Sequence, residues 1–264
     1  MPSVSYEKTG RIVRLVLNRP DTRNALSKDV IEDLVDGLNK ANDDKDVNVA
    51  IIFGAGKGFS SGGNLQELRA MTTTDNLSPQ GIADWYTSGI QRIPLTIDAL
   101  DIVTIAAVHG HAIGAGCDLA AMCDLRIAAD TASFAESFLR VGLIPGDGGA
   151  WFLPRIIGVA RAKEMLLTAN PANAAKALQW GLVSDVVTEE ELDNAAMAMA
   201  KNIAGLPPVG IRKAKQLIRK TVTDSLADSL DMAALMQADL QQLDDHLEAI
   251  DSILEKRKPT FTGK

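Results

Sequence analysis

The sequence predicts an α/β fold, and three observations carry that expectation. A strand, a glycine-rich loop and a helix follow one another twice in the first half of the chain. Beyond Gly142 the pattern turns mostly helical. The composition is ordinary for a globular protein, with 46% hydrophobic and 23% charged residues. Alternating elements of this kind argue for a layered α/β architecture. At 264 residues the chain suits one domain, or one domain with a helical appendage.

The elements follow in order. Arg11 to Leu17 is β-branched and apolar, and Asn18-Arg19-Pro20-Asp21 ends it as a turn. Ser27 is a helix cap, and Val30, Ile31, Leu34, Val35 and Leu38 share one helical face. Val47 to Phe53 reads as a buried strand, Gly54 to Gly63 as a glycine loop, and Asn64 to Met71 as a helix. Met71 to Gly81 is polar and reads as a surface loop. Ile102 to Val108 is a second buried strand. Gly110 to Gly116 is a second glycine loop, a helical run starts from Cys117, and Asp124 to Ala128 is a strand.

Thr188 with Glu191 predicts a capping box for a helix reaching about Ala204, and Pro207-Pro208 breaks the chain. Asp224 to Lys256 reads as one long helix, with Leu240, Leu243, Leu247, Ile250 and Leu254 on one stripe. That stripe packs either on the chain's own core or on another subunit.

Charge and cysteines exclude several classes. A net charge of -7 and 4% aromatic residues argue against nucleic-acid binding. Cys117 and Cys123 build neither a disulfide framework nor a zinc site. Ile102 to Met122, the most apolar stretch, is broken by His109, His111, Asp118 and glycines, which argues against a membrane span. The N-terminus shows no signal-peptide pattern. The expectation is a soluble, cytoplasmic protein with no membrane partner.

Loops that lead into helices aim unpaired N–H groups outward, and glycine lets the backbone approach a ligand closely. Two such loops at neighbouring strand ends can direct two donors at one oxygen, as an oxyanion or enolate requires. Two tight turns are the plainer alternative. Lys57 is followed by Gly58, so the first loop is not a P-loop. Gly58-Phe59-Ser60-Ser61-Gly62 does match the nucleophile-elbow pattern, so a serine hydrolase using Ser60 is one alternative. Gly54 to Lys57 intervene between strand and motif, and His246 is the only late histidine.

Several ordered segments narrow the choice. They are Leu17-Asn18-Arg19-Pro20 with Asn24-Ala25-Leu26, GKGFSSGGNLQEL from Gly56, and GHAIGAGCDLAAMCDLRIA from Gly110. VGLIPGDGGAWFLPRIIG from Val141 and the ending EKRKPTFTGK follow. Over nearly its whole length the chain resembles the enoyl-CoA hydratase/isomerase (crotonase) family. The resemblance implies a spiral of strand-strand-helix turns over residues 1–205. It also implies a helical oligomerisation region over 206–264, giving a homotrimer or hexamer. It implies an acyl-CoA substrate whose thioester oxygen is held by the N–H groups of Gly63 and Ala115. No metal or redox cofactor is implied, coenzyme A being part of the substrate.

Hydratases of the family use two glutamates. The first corresponds to Asp118, a carboxylate one methylene shorter. A first-turn carboxylate favoured by the helix dipole is its structural alternative. The second corresponds to Phe138, which transfers no proton, and this departure shifts weight from hydration toward isomerisation. Glu136 is a weak substitute, expected at the surface or in an ion pair. Asp147, in Pro145-Gly146-Asp147-Gly148-Gly149, matches an aspartate used by some members, with a helix cap as the alternative. Arg140 is either a partner for one of these carboxylates or a solvated charge.

Phe138 and Trp151 are candidates for the acyl pocket, core packing being the plainer reading for Trp151. The resemblance assigns coenzyme A contacts to Arg23, Ala25, Ser61, Gly62, Asn64, Leu65 and Lys256. A binding protein that has lost the chemistry is the non-enzyme alternative.

Overall fold

The computed structural model describes residues 2–264. The chain opens with β1 (Val4–Thr9) and β2 (Ile12–Leu17), then α1 (Lys28–Asp43) and β3 (Val49–Gly54). Next come α2 (Leu65–Thr73), α3 (Pro79–Ser88), α4 (Arg92–Ala99), β4 (Val103–Val108) and β5 (His111–Ile113). The centre holds α5 (Ala115–Met122), β6 (Leu125–Ala129), β7 (Ser133–Ala135) and α6 (Gly149–Thr168). The remainder is β8 (Ala172–Asn173), α7 (Ala174–Trp180), β9 (Asp185–Val187), α8 (Leu192–Ala204), α9 (Pro208–Thr221), α10 (Leu226–Leu240) and α11 (Asp244–Leu254).

Six strands form one sheet in the order β1-β2-β3-β4-β6-β9, parallel except for the β1–β2 hairpin. A smaller sheet pairs β5 with β7 and β7 with β8. The central strands are buried on both faces, which is why they read as continuous apolar runs. Val49, Ile51 and Phe53 of β3 face one layer with Leu192, Ala196 and Ala200 of α8. Ala50 and Ile52 face the other, with Val30, Ile31, Leu34 and Leu38 of α1.

The α/β expectation holds, and several local ones change. The segment read as a loop from Met71 to Gly81 contains the end of α2 and the start of α3, because Ser78 caps α3 and accepts from the Gly81 amide at 3.1 Å. Ser27 occupies the cap position of α1, yet its side chain accepts no backbone N–H there. Thr188 precedes a single 3-10 turn, Glu189–Glu191, and its hydroxyl meets the Glu191 carboxylate at 3.1 Å.

The long helix from Asp224 to Lys256 is two helices, because the chain breaks at Gln241–Leu243 between α10 and α11. Leu247, Ile250 and Leu254 of the predicted stripe are exposed, so that face is not packed on the chain's own core. Cations of α9 pin this C-terminal region to the sheet end. Arg212 donates to the Asn42, Asp44 and Val47 carbonyls. Lys215 donates to Ile102 O at 2.8 Å and pairs with Asp124 at 2.7 Å.

Candidate active site

The two glycine loops are zipped together. Phe59 N donates to His109 O at 3.0 Å, Ser60 N to His111 O at 2.9 Å, and Ile113 N to Ser60 O at 3.0 Å. Asn24, fully buried with φ +55°, locks the first loop by donating to the Ala55 and Gly58 carbonyls at 2.8 and 2.9 Å. Gly62 has φ +87°, and a Cβ there would stand 3.2 Å from Ala115 N. Only glycine lets the first loop lie this close to the start of α5.

Gly63 and Ala115 consequently border one cavity of about 180 Å³. Ala115 is the first residue of α5, so its N–H has no partner within the helix. Neither the Gly63 nor the Ala115 amide donates to a carbonyl elsewhere among the described residues. Two residues whose amides have no carbonyl partner therefore line one small cavity. Apolar walls come from Leu26, Leu68, Ile90, Phe138 and Leu143, with Trp85 and Tyr86 beside them.

Asp147 lines the same cavity and is 4% exposed. It does not cap α6: Gly148 holds that position, and no side chain caps the helix. Gln91 pins the turn by donating to Gly146 O at 3.0 Å. Burial pushes the Asp147 carboxyl up to about 6, and its Oδ1 has no hydrogen-bond partner. Burial first, then the Asp147 charge, raises the Tyr86 phenol.

Asp118 lies in the first turn of α5 but is fully buried and does not reach the cavity wall. Beside it stands Glu136, 1% exposed. The expectation of a surface or ion-paired glutamate is corrected here. On a strand running on to Phe138, Glu136 and Phe138 would share a side. β7 ends at Ala135, and a 3-10 turn spans Phe138–Val141. The turn sends Phe138 to the cavity and leaves Glu136 in the interior. The signal available in sequence was the Glu136-Ser137 pair ahead of a glycine turn, too weak to end a strand.

Other site residues scatter. Trp151 is 44% exposed and does not line the cavity; it stacks under Arg155 at 3.8 Å and meets Phe152 edge-on. Its place on the outward side of α6 corrects its assignment to the acyl pocket. Arg140 donates to Ala169 O at 2.9 Å and partners no carboxylate. Ser60 is 1% exposed, donates to Asn24 O at 2.7 Å and accepts from Gly62 N at 3.1 Å. A hydroxyl committed to loop structure is no free nucleophile, so the elbow reading loses its basis.

A second groove of about 610 Å³ adjoins the loops and brings Arg23 and Ser61 together with Lys57 and His111. Lys57 lines this groove although the sequence around it holds no phosphate-loop motif. Ala25 is buried, and Leu65 is 61% exposed at the cavity mouth. Asn64 caps α2, accepting from Gln66 N at 3.0 Å. Lys256 follows α11 with φ +55° and does not border the Arg23 groove. Among the described residues, no cluster of three His, Cys, Asp or Glu groups is arranged to hold a metal, and no helix is long and apolar enough to cross a membrane.

Comparison with known proteins shows the family and the fold. A family model described as enoyl-CoA hydratase/isomerase matches residues 7–264. The chain is 35% identical to a crotonyl-CoA hydratase of Syntrophomonas wolfei, over 99% of this chain and 98% of that protein. It is 34% identical to a 1,2-epoxyphenylacetyl-CoA isomerase of Escherichia coli, over 96% and 95%. A solved enoyl-CoA hydratase from Bacillus anthracis superposes with a TM-score of 0.90 at 32% identity, covering 99% and 100% of the two chains. One from Mycobacterium smegmatis gives 0.91 at 32%, covering 99% of each. With its crotonase-type fold and a match spanning nearly its whole length, the chain belongs to the enoyl-CoA hydratase/isomerase family of enzymes.

Proposed function

We propose that this enzyme moves a proton on an acyl-CoA thioester through an enolate, with double-bond isomerisation as the leading reaction. The observation that carries the reading is a shared cavity: the Gly63 and Ala115 amides and the Asp147 carboxyl border the same space. Two preorganised N–H donors suit the charge that develops on the thioester oxygen. Asp147, raised to about 6, is ionised at neutral pH yet still basic enough to accept a proton from carbon. Asp118, one carboxyl deeper, is the second proton carrier. Water addition needs two groups at the substrate, and Phe138 puts an apolar wall where hydratases of the family carry the second one.

Coenzyme A fits the groove holding Arg23, Ser61 and Lys57, where cations meet its phosphates. The exposed apolar residues Leu247, Ile250, Ile253 and Leu254 of α11 support a homotrimer or hexamer built through residues 206–264, with Lys256 reaching a neighbouring subunit's nucleotide. Two free, buried cysteines suit a reducing, cytoplasmic setting.

The test is mass spectrometry after incubation in heavy water with crotonyl-CoA, a 3-enoyl-CoA and a 3-ketoacyl-CoA. Deuterium uptake or a shifted double bond without a gain of water supports isomerisation. Gain of one water on crotonyl-CoA, with no shift of the 3-enoyl substrate, overturns it in favour of hydration.

A further inference from the structure

Glu136 is a buried acid for which the reaction above has no use. Its carboxyl and that of Asp118 both approach Gly149: a Cβ there would overlap Asp118 Oδ1 and stand 3.2 Å from Glu136 Oε2. Both side chains are fully buried, and none of their four oxygens has a hydrogen-bond partner. The donors nearest to hand are the Gly149 amide beside Asp118 and the Cys117 thiol beside Glu136. Among the described residues, no lysine, arginine or histidine forms an ion pair with Asp118, Glu136 or Asp147.

Two carboxylates cannot both remain ionised at close range without water or a cation. If one is protonated, its O–H donates to the other, and both groups gain a partner.

We propose that Glu136 is a positioning residue that shares a single proton with Asp118, so that Asp118 is the acid and Glu136 the carboxylate of the pair. The direction of sharing follows from their surroundings. Burial raises both, and the Glu136 charge raises Asp118 further. An O–H donated by protonated Asp118 works the other way on Glu136, pulling it back down. Asp147 faces both from the turn ahead of α6, and its negative charge opposes ionisation of either. Cys117, on α5, stays a neutral thiol through burial and the two carboxyl groups.

The proposal deepens the proton-transfer reading, since it supplies an acid behind the base: Asp147 takes the proton from one carbon as carboxylate, Asp118 supplies one for the other carbon, and the proton on Asp147 returns to the pair, so each cycle ends with one proton between Asp118 and Glu136. Carboxyl groups whose surroundings push them apart take opposite roles in this way.

The test is infrared titration of the protonated-carboxyl stretch, which needs no substrate and so stands apart from the activity assay. At about pH 8.5, above the range where Asp147 ionises, the wild-type protein is expected to retain one protonated carboxyl. Asp118→Asn is expected to remove that band. In Glu136→Gln the band survives but is expected to vanish at lower pH, its proton held at least about tenfold less tightly. With a substrate found by the heavy-water assay, the same variant loses kcat at high pH while KM is kept. No protonated carboxyl in the wild type at that pH overturns the proposal. So does a band in Glu136→Gln that titrates as in the wild type while only thermal stability falls. Should Glu136→Gln fail to fold, Glu136→Ala is titrated in its place with the same expected and overturning results, and the wild type without a protonated carboxyl still overturns the proposal.

Discussion

Asp118 and Glu136, one on a helix and one just past a strand, turn their carboxyl groups toward the same bare backbone at Gly149. The missing side chain leaves room for the pair. Gly149→Ala is expected to push Asp118 aside and to cost about 1–3 kcal/mol through overpacking. Turnover is expected to fall by more than the stability loss explains. A crystal structure of the variant with an unmoved Asp118 contradicts this account.

Asp147→Asn separates the chemical role from the structural one. Turnover is expected to drop about 100-fold or more, the usual worth of a positioned acid-base group. Stability moves the other way. A carboxyl raised to about 6 from an ordinary 3.8 binds its proton more tightly when folded, so the native state loses stability as pH rises from about 4 to 6. At about pH 8 the cost of the buried charge reaches up to about 3 kcal/mol, and the Asn variant escapes it. Thermal midpoints at about pH 8 are expected to be higher in the variant, and near pH 4 the difference is expected to vanish. A lower midpoint at both pH values disproves the assignment.

Ala115→Pro removes one N–H at the first position of α5, where proline suits the helix. The loss expected from one missing oxyanion donor is about 100- to 1,000-fold in kcat. Circular dichroism checks that the fold survives. Full activity in a folded variant excludes the Ala115 amide as a donor.

Phe138→Glu places a second carboxyl on the cavity wall, where the Phe138 ring now lies within 4 Å of a Cβ built at Gly114. Water addition to crotonyl-CoA is expected to rise about tenfold or more relative to isomerisation. An unchanged product ratio shows that Phe138 does not decide between the two reactions.

The chain's local chemistry already determined the α/β alternation of the first half and the two glycine-rich segments that meet beside the cavity. These rest on short-range signals: apolar runs, glycine spacing and residues that end strands. The wrong extent of the helix after Asp224 and the unseen α3 show where such signals fade, since apolar spacing continues across a break that only packing makes. Tertiary structure alone decided the carboxyl arrangement. Where β7 stops sets the direction of Glu136 and Phe138, and that depends on β7 pairing with three residues of β5 and two of β8, which lie elsewhere in the chain. Burial then acts over distance: Asp118, Glu136 and Asp147 are separate acids in sequence, and in the folded interior all three are raised by burial, with the Asp147 charge acting on the other two.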